Sequence, residues 1–207
     1  VTVTASALAL YALAMVVLTL TPGPVWVATI ARALSGGFAQ AWPLTLGVAL
    51  GDVAWSVIAV LGVGWVAASF EGAMEIFRYV AAAIFLALGL AVLRHAGAPV
   101  GRGDGRLTRP GLWAGFVAGL VVILANPKAI LFYIGFLPGF FDLSAITTAD
   151  VLAIATVSFA VPMLGNLGLA LLVGRARGLL TAPGAVKRMN IMASVLLIAV
   201  GFVIPFT

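Results

Sequence analysis

Four groups of polar residues interrupt long apolar runs in this 207-residue chain. They are Thr21-Pro22-Gly23-Pro24 with Trp26 just after it, Asp52, Asn126-Pro127-Lys128, and Asn166. A charge at the centre of a bilayer costs ~2.5–3.5 kcal/mol, so Asp52 and Lys128 should each face a partner or a cavity. Pro22, Pro24 and Pro127 offer no N–H to the carbonyls of Leu18, Leu20 and Ile123. In hydrocarbon those carbonyls need other partners or a wet cavity. One proline alone would read as a kink. Two breaks at equivalent depth, each beside polar residues, read as a site. Half-helices starting after Pro24 and Pro127 would aim their positive ends at it, which suits a carboxylate, and Lys128 adds a full charge. Asp52 supplies the opposite pole, sharing a helical face with Thr45, Ala49, Trp55 and Ser56. It could bind a cation or carry a proton. The structural alternative is a buried Asp52–Lys128 ion pair that only holds helices together.

The elements that must position these groups are transmembrane helices. The chain is 64% hydrophobic and 8% charged, against roughly 25% charged in a soluble domain. Apolar runs long enough to span recur at 5–31, 40–68, 75–95, 111–140, 149–174 and 186–206. The first has no basic residue ahead of it and holds the proline break, so it is expected to be a permanent span and not a signal peptide. With the N-terminus outside, the inner loops collect Arg32, Arg94, Arg102, Arg106, Arg109, Arg175, Arg177, Lys187 and Arg188, and the outer loops only Arg78. Both termini are therefore expected outside. The net charge of +5 follows from these loops and does not indicate nucleic acid. There is no cysteine, and the one histidine, His95, gives no metal-ligand set. No cofactor is implied, nor any nucleophile–base set of an enzyme.

The halves resemble each other. Val16–Pro22 aligns with Val121–Pro127, and Leu50-Gly51-Asp52 with Leu164-Gly165-Asn166. The expected fold is all-α, with six transmembrane helices as two repeats, 1–96 and 111–207, joined by a cytoplasmic linker at 97–110. Three crossings per repeat invert the second copy, and the first and fourth helices are broken near the midplane. Gly111, Gly115 and Gly119, and Gly47 with Gly51, form small-residue stripes for close helix packing.

The chain resembles the LysE/RhtB amino-acid exporters. The likeness rests on Thr21-Pro22-Gly23-Pro24, Arg32 with Gly37, Gly47 through Gly51-Asp52, and Asn126-Pro127-Lys128 followed by Phe136-Leu137-Pro138. Order and spacing hold over essentially the whole chain; Ala41 stands where a glycine is expected. The resemblance implies export of amino acids or similar small metabolites across the bacterial inner membrane, driven by protons, and with the glycine stripes it suggests a homodimer. Substrate-binding residues are then Thr21, Pro22, Gly23, Pro24, Trp26, Asp52, Asn126, Pro127, Lys128 and Asn166, with Asp52 coupling to protons. A single intramembrane acid favours a neutral amino acid over a dibasic one. The alternative is a cation exporter or channel using Asp52 and the freed carbonyls.

Overall fold

A computed structural model describes residues 2–69, isolated positions between 75 and 97, and residues 110–181 and 183–203. The expected third span (75–95) and linker (97–110) lie outside the described residues apart from isolated positions, as does the end of the sixth span. Every regular element described is helical. These are α1 (Ala5–Leu20), α2 (Pro24–Ser69), α3 (Leu112–Leu124), α4 (Pro127–Phe140), a short 3-10 turn (Leu143–Ala145), α5 (Thr148–Thr181) and α6 (Pro183–Val203).

The prolines set the boundaries. At ~1.5 Å per residue, α1 is shorter than a ~30 Å hydrocarbon core, so the first apolar run continues into the first arm of α2. That arm ends at Gly36-Gly37, where Gly37 takes φ 70°, a backbone region that favours glycine. The fourth run is likewise divided, and α3 meets α4 at a bend of 57°. Among the described residues, 24–62 and 148–173 are long and apolar enough to cross a membrane, with the bent α3–α4 pair as a third.

Leucines such as Leu13, Leu152 and Leu164 and the indole of Trp113 face outward, as expected of a surface that meets lipid. The core gathers Tyr11, Met15 and Leu18 of α1, Leu44 and Val48 of α2, Ile123 of α3, Phe132, Tyr133 and Leu137 of α4, and Ile154 of α5.

Glycines bring α2 and α3 to backbone distance. A Cβ on Gly47 would lie 2.1 Å from the Phe116 carbonyl oxygen, and one on Gly119 would lie 2.0 Å from that of Leu44. A Cβ on Gly51 would strike the Ile123 side chain, and one on Gly115 the Arg32 guanidinium. Gly47, Gly51, Gly115 and Gly119 are thus occupied within the chain, while Gly111 has open space around it.

Two clasps close the ends. Asp150 opens α5 in a capping box with Thr147, and the same carboxylate accepts the N–H groups of Thr2 and Val3. At the other end of the bundle, Arg32 departs from the loop position expected of it. It is a buried residue of α2, donating to the Gln40 carbonyl at 2.8 Å and the Gly111 carbonyl at 3.0 Å. An apolar run that bends back at Gly36-Gly37 leaves free carbonyls, and a guanidinium can reach two of them at once.

The glycine contact is testable by thermal unfolding in detergent. Gly47→Ala and Gly119→Ala should each lower the midpoint, since overpacking costs about 1–3 kcal/mol or more. Gly168→Ala, with open space around its Cβ, should be tolerated.

Candidate functional site

The first break is held together from outside. Pro22 leaves the Leu18 carbonyl with only a long bond from the Thr21 N–H at 3.3 Å, and Lys128 Nζ adds a donor to it at 3.0 Å and to the Thr21 carbonyl at 2.8 Å. The Thr19 carbonyl accepts the Trp26 indole N–H at 2.7 Å. The Thr21 hydroxyl turns back to the Val17 carbonyl at 2.7 Å. The last turn of α1 is therefore satisfied by a cation from α4 and an indole from α2, where a soluble helix would use water. Trp26 does more than the packing its type suggests: its ring joins Ile30, Leu169 and Val173 while its N–H caps the break.

The second break caps itself. Asn126 is the N-cap of α4, its side chain accepting the Lys128 N–H at 3.1 Å, with Pro127 at the first helical position. The Asn126 N–H donates to the Ile123 carbonyl at 3.1 Å, replacing the bond that Pro127 cannot make. Both breaks thus present a helix C-terminus and a helix N-terminus side by side.

Asp52 is 2% exposed and accepts a hydrogen bond from the Tyr133 hydroxyl at 3.0 Å. Lys128 makes its bonds to carbonyls, so among the described residues no ion pair joins it to Asp52. On the face that Asp52 shares, Thr45, Ala49 and Ser56 are buried and Trp55 partly so, and Thr45 and Ser56 return their hydroxyls to the Trp42 and Val53 carbonyls of their own helix. Asn166 donates from Nδ2 to the Pro162 carbonyl at 2.9 Å, while its buried Oδ1 has no partner. A carbonyl can only accept, so the amide nitrogen must face Pro162 and the oxygen is left as a free acceptor.

These groups surround one cavity of about 30 Å³. Thr21, Gly23, Trp26, Asp52, Asn126, Lys128 and Asn166 line it, with Met15, Leu18, Val25, Val48 and Ile123 as apolar wall. Pro22, Pro24 and Pro127 are not in the lining; they shape the backbone around it. At ~10–15 Å³ for one water, the space holds about two, and a larger solute needs the helices to part.

Tyr133 is the polar neighbour of Asp52 that the sequence reading passed over. Its signal was present, because Asn126, Ala129 and Tyr133 recur at helical spacing on one face. A tyrosine within an apolar run reads as packing, and the partner that makes it polar lies far away in sequence.

Comparison with known proteins agrees with this architecture. The family model of the LysE type translocator matches residues 16–205. The membrane protein slr1627 of Synechocystis sp. is 31% identical over 191 residues, covering 91% of this chain and 90% of that protein. The leucine efflux proteins of Salmonella typhimurium and Salmonella typhi are each 29% identical over 165 residues, covering 73% of this chain and 76% of theirs. No solved structure matches. A match over nearly the whole chain, on a helical membrane protein with polar groups gathered at two helix breaks, means that this chain belongs to the LysE type translocator family, whose members are transporters and not enzymes.

Proposed function

We propose that this protein is a secondary transporter that exports a neutral amino acid, or a similar small metabolite, across the bacterial inner membrane by proton antiport. The observation that carries this reading is the convergence of both helix breaks, with Asp52, Lys128 and Asn166, on one cavity. A zwitterion needs an anion-favouring and a cation-favouring pole within one small space, and these groups supply both. The leucine efflux relatives and the apolar wall point to an aliphatic side chain.

In this mechanism two inverted repeats, 1–96 and 111–207, alternate around the cavity. Substrate enters from the cytoplasm. Its carboxylate meets Lys128 and the N-terminal N–H groups of α2 and α4; its ammonium meets Asp52 and the free Asn166 Oδ1. Lys128 uses two of its three N–H groups on the Leu18 and Thr21 carbonyls and has the third for the carboxylate, so a substrate that draws the ammonium further into the cavity loosens the end of α1. A proton from outside then neutralises Asp52 and frees the ammonium. The contact of Thr2 with Asp150 at the start of α5 sets those two points at one end, as first and fifth spans of a six-span chain require; taking that end as the outside rests on the distribution of Lys and Arg. Arg32 and Gly111, at the end of the first span and the start of the fourth, meet at the other. A homodimer rests on the family resemblance alone.

The cation-channel alternative is disfavoured by Lys128, whose ammonium already sits on the carbonyls a cation would use.

Efflux of a panel of labelled amino acids from proteoliposomes under an imposed pH gradient tests the proposal. Wild type should export selected neutral amino acids, and Asp52→Asn should lose the gradient-driven component. Lys128→Gln, which keeps a donor for the carbonyls, should weaken substrate binding by about 2 kcal/mol or more, roughly thirtyfold. Ion flux independent of amino acid would support the channel instead. Unchanged efflux in both variants would remove Asp52 and Lys128 from the site.

The orphan acceptor gives a separate expectation. Asn166→Leu should raise KM for the exported amino acid while unfolding at a temperature close to wild type, because it leaves no buried oxygen unpaired. An unchanged KM would place the ammonium elsewhere.

A further inference from the structure

The mechanism above leaves unused a set of buried hydroxyls beyond Asp52. Tyr11, Tyr133 and Ser158 are each 0% exposed and come from α1, α4 and α5. The Tyr133 hydroxyl donates to Asp52 Oδ1 at 3.0 Å. Tyr11 and Ser158 share a hydrogen bond of 2.6 Å, and both hydroxyls also interact with that of Tyr133. Ser158 can park its own proton on the Ile154 carbonyl at 2.8 Å. Around them the walls are apolar, formed by Phe132, Phe141, Leu143 and Ile154. For packing alone phenylalanine would serve as well as tyrosine. Three hydroxyls in contact within such walls are a connected polar network.

The network also points somewhere. A second cavity of about 220 Å³ lies beside the Asp150 clasp, lined by residues including Thr2, Thr4, Phe141 and Asp142. Phe141 lines that cavity and packs edge-on against the Tyr11 ring, with centroids 5.5 Å apart. Phe141 thus links the cavity lining to the ring that carries the Tyr11 hydroxyl.

We propose that Tyr133, Tyr11 and Ser158 form the proton path of this transporter, leading from the cavity at the Asp150 end to Asp52, with Phe141 as its gate. The proposal rests on the reading of Asp52 as the proton-coupling residue. In the inward step the Tyr133 O–H bond breaks as its proton joins Asp52 Oδ1. The Tyr133 oxygen takes a proton that comes from Tyr11, directly or by way of Ser158, and a hydrated proton reaching the network past Phe141 replaces the one that Tyr11 gives up. Each hydroxyl gives one proton and gains one, so none is left charged. Lys128, reaching the break from the start of α4, is the charged group that acts on Asp52 from the substrate side. Substrate and proton would then approach the carboxylate from opposite directions.

The test compares two readouts in proteoliposomes loaded with labelled leucine. One is efflux driven by a pH gradient. The other is leucine–leucine exchange at equal pH, which moves no net proton. Tyr133→Phe and Tyr11→Phe should each lower driven efflux at least about tenfold relative to exchange, as expected on losing a positioned proton donor. A ratio that stays at the wild-type value in both, whether the two rates hold or fall together, would reduce the tyrosines to packing. A lowered ratio in Tyr133→Phe alone would make Tyr133 a positioning residue for Asp52 and overturn the path. Asp52→Asn separates the two layers: loss of its driven efflux beside intact Phe variants sinks the relay alone, and persistence of its driven efflux sinks the coupling role of Asp52.

Discussion

A backbone carbonyl in hydrocarbon must have a donor, and at the two breaks Pro22, Pro24 and Pro127 offer none. Most of what surrounds the cavity answers that constraint. Lys128 reaches from α4 to the end of α1, Trp26 folds its indole back onto Thr19, and Asn126 recaps the helix that Pro127 begins. A continuous helix would have needed none of these and could not have shown polar groups to a solute. The break exposes backbone charge at a depth where water is scarce, and the caps keep that exposure from unfolding the chain.

Lys128 is bound to carbonyls in this closed arrangement, with room for about two waters beside it. Its ammonium stabilises the C-terminal end of α1, where the helix dipole is negative. A ligand that draws the ammonium away therefore competes with a structural bond. Such competition lets binding shift a conformational equilibrium, because the ligand interacts differently with the two arrangements.

Much of this was legible in the residues. Prolines within apolar runs mark helix ends without any knowledge of the partner helix, and α1, α2 and α4 end or begin where Pro22, Pro24 and Pro127 place them. Asp52, Asn166 and Lys128 were conspicuous because polar groups are costly in that setting, and all three border the cavity. What could not be read was pairing over distance. Nothing local says that Lys128 binds carbonyls near residue 20 and not Asp52, or that Tyr133 faces a carboxylate. Arg32 misled for the opposite reason: arginine at the end of an apolar run normally snorkels into a loop, and only the fold at Gly36-Gly37 encloses it. The assignments tied to residues 75–109 concern a stretch that is described only at isolated positions.

The contact of Gly47 with Phe116 and of Gly119 with Leu44 carries a mechanical consequence. Packed helices slide past one another by small adjustments of interleaved side chains, and at these points no side chains intervene. Shear between the second arm of α2 and α3 has no side chains to absorb it there, so movement of one repeat against the other pivots about this contact. Motion that opens the cavity must be taken up by torsion at a few backbone positions. Among the described residues those hinges are the bend at Gly36-Gly37 and the proline breaks themselves, so the interruptions that create the binding surface also serve as its joints.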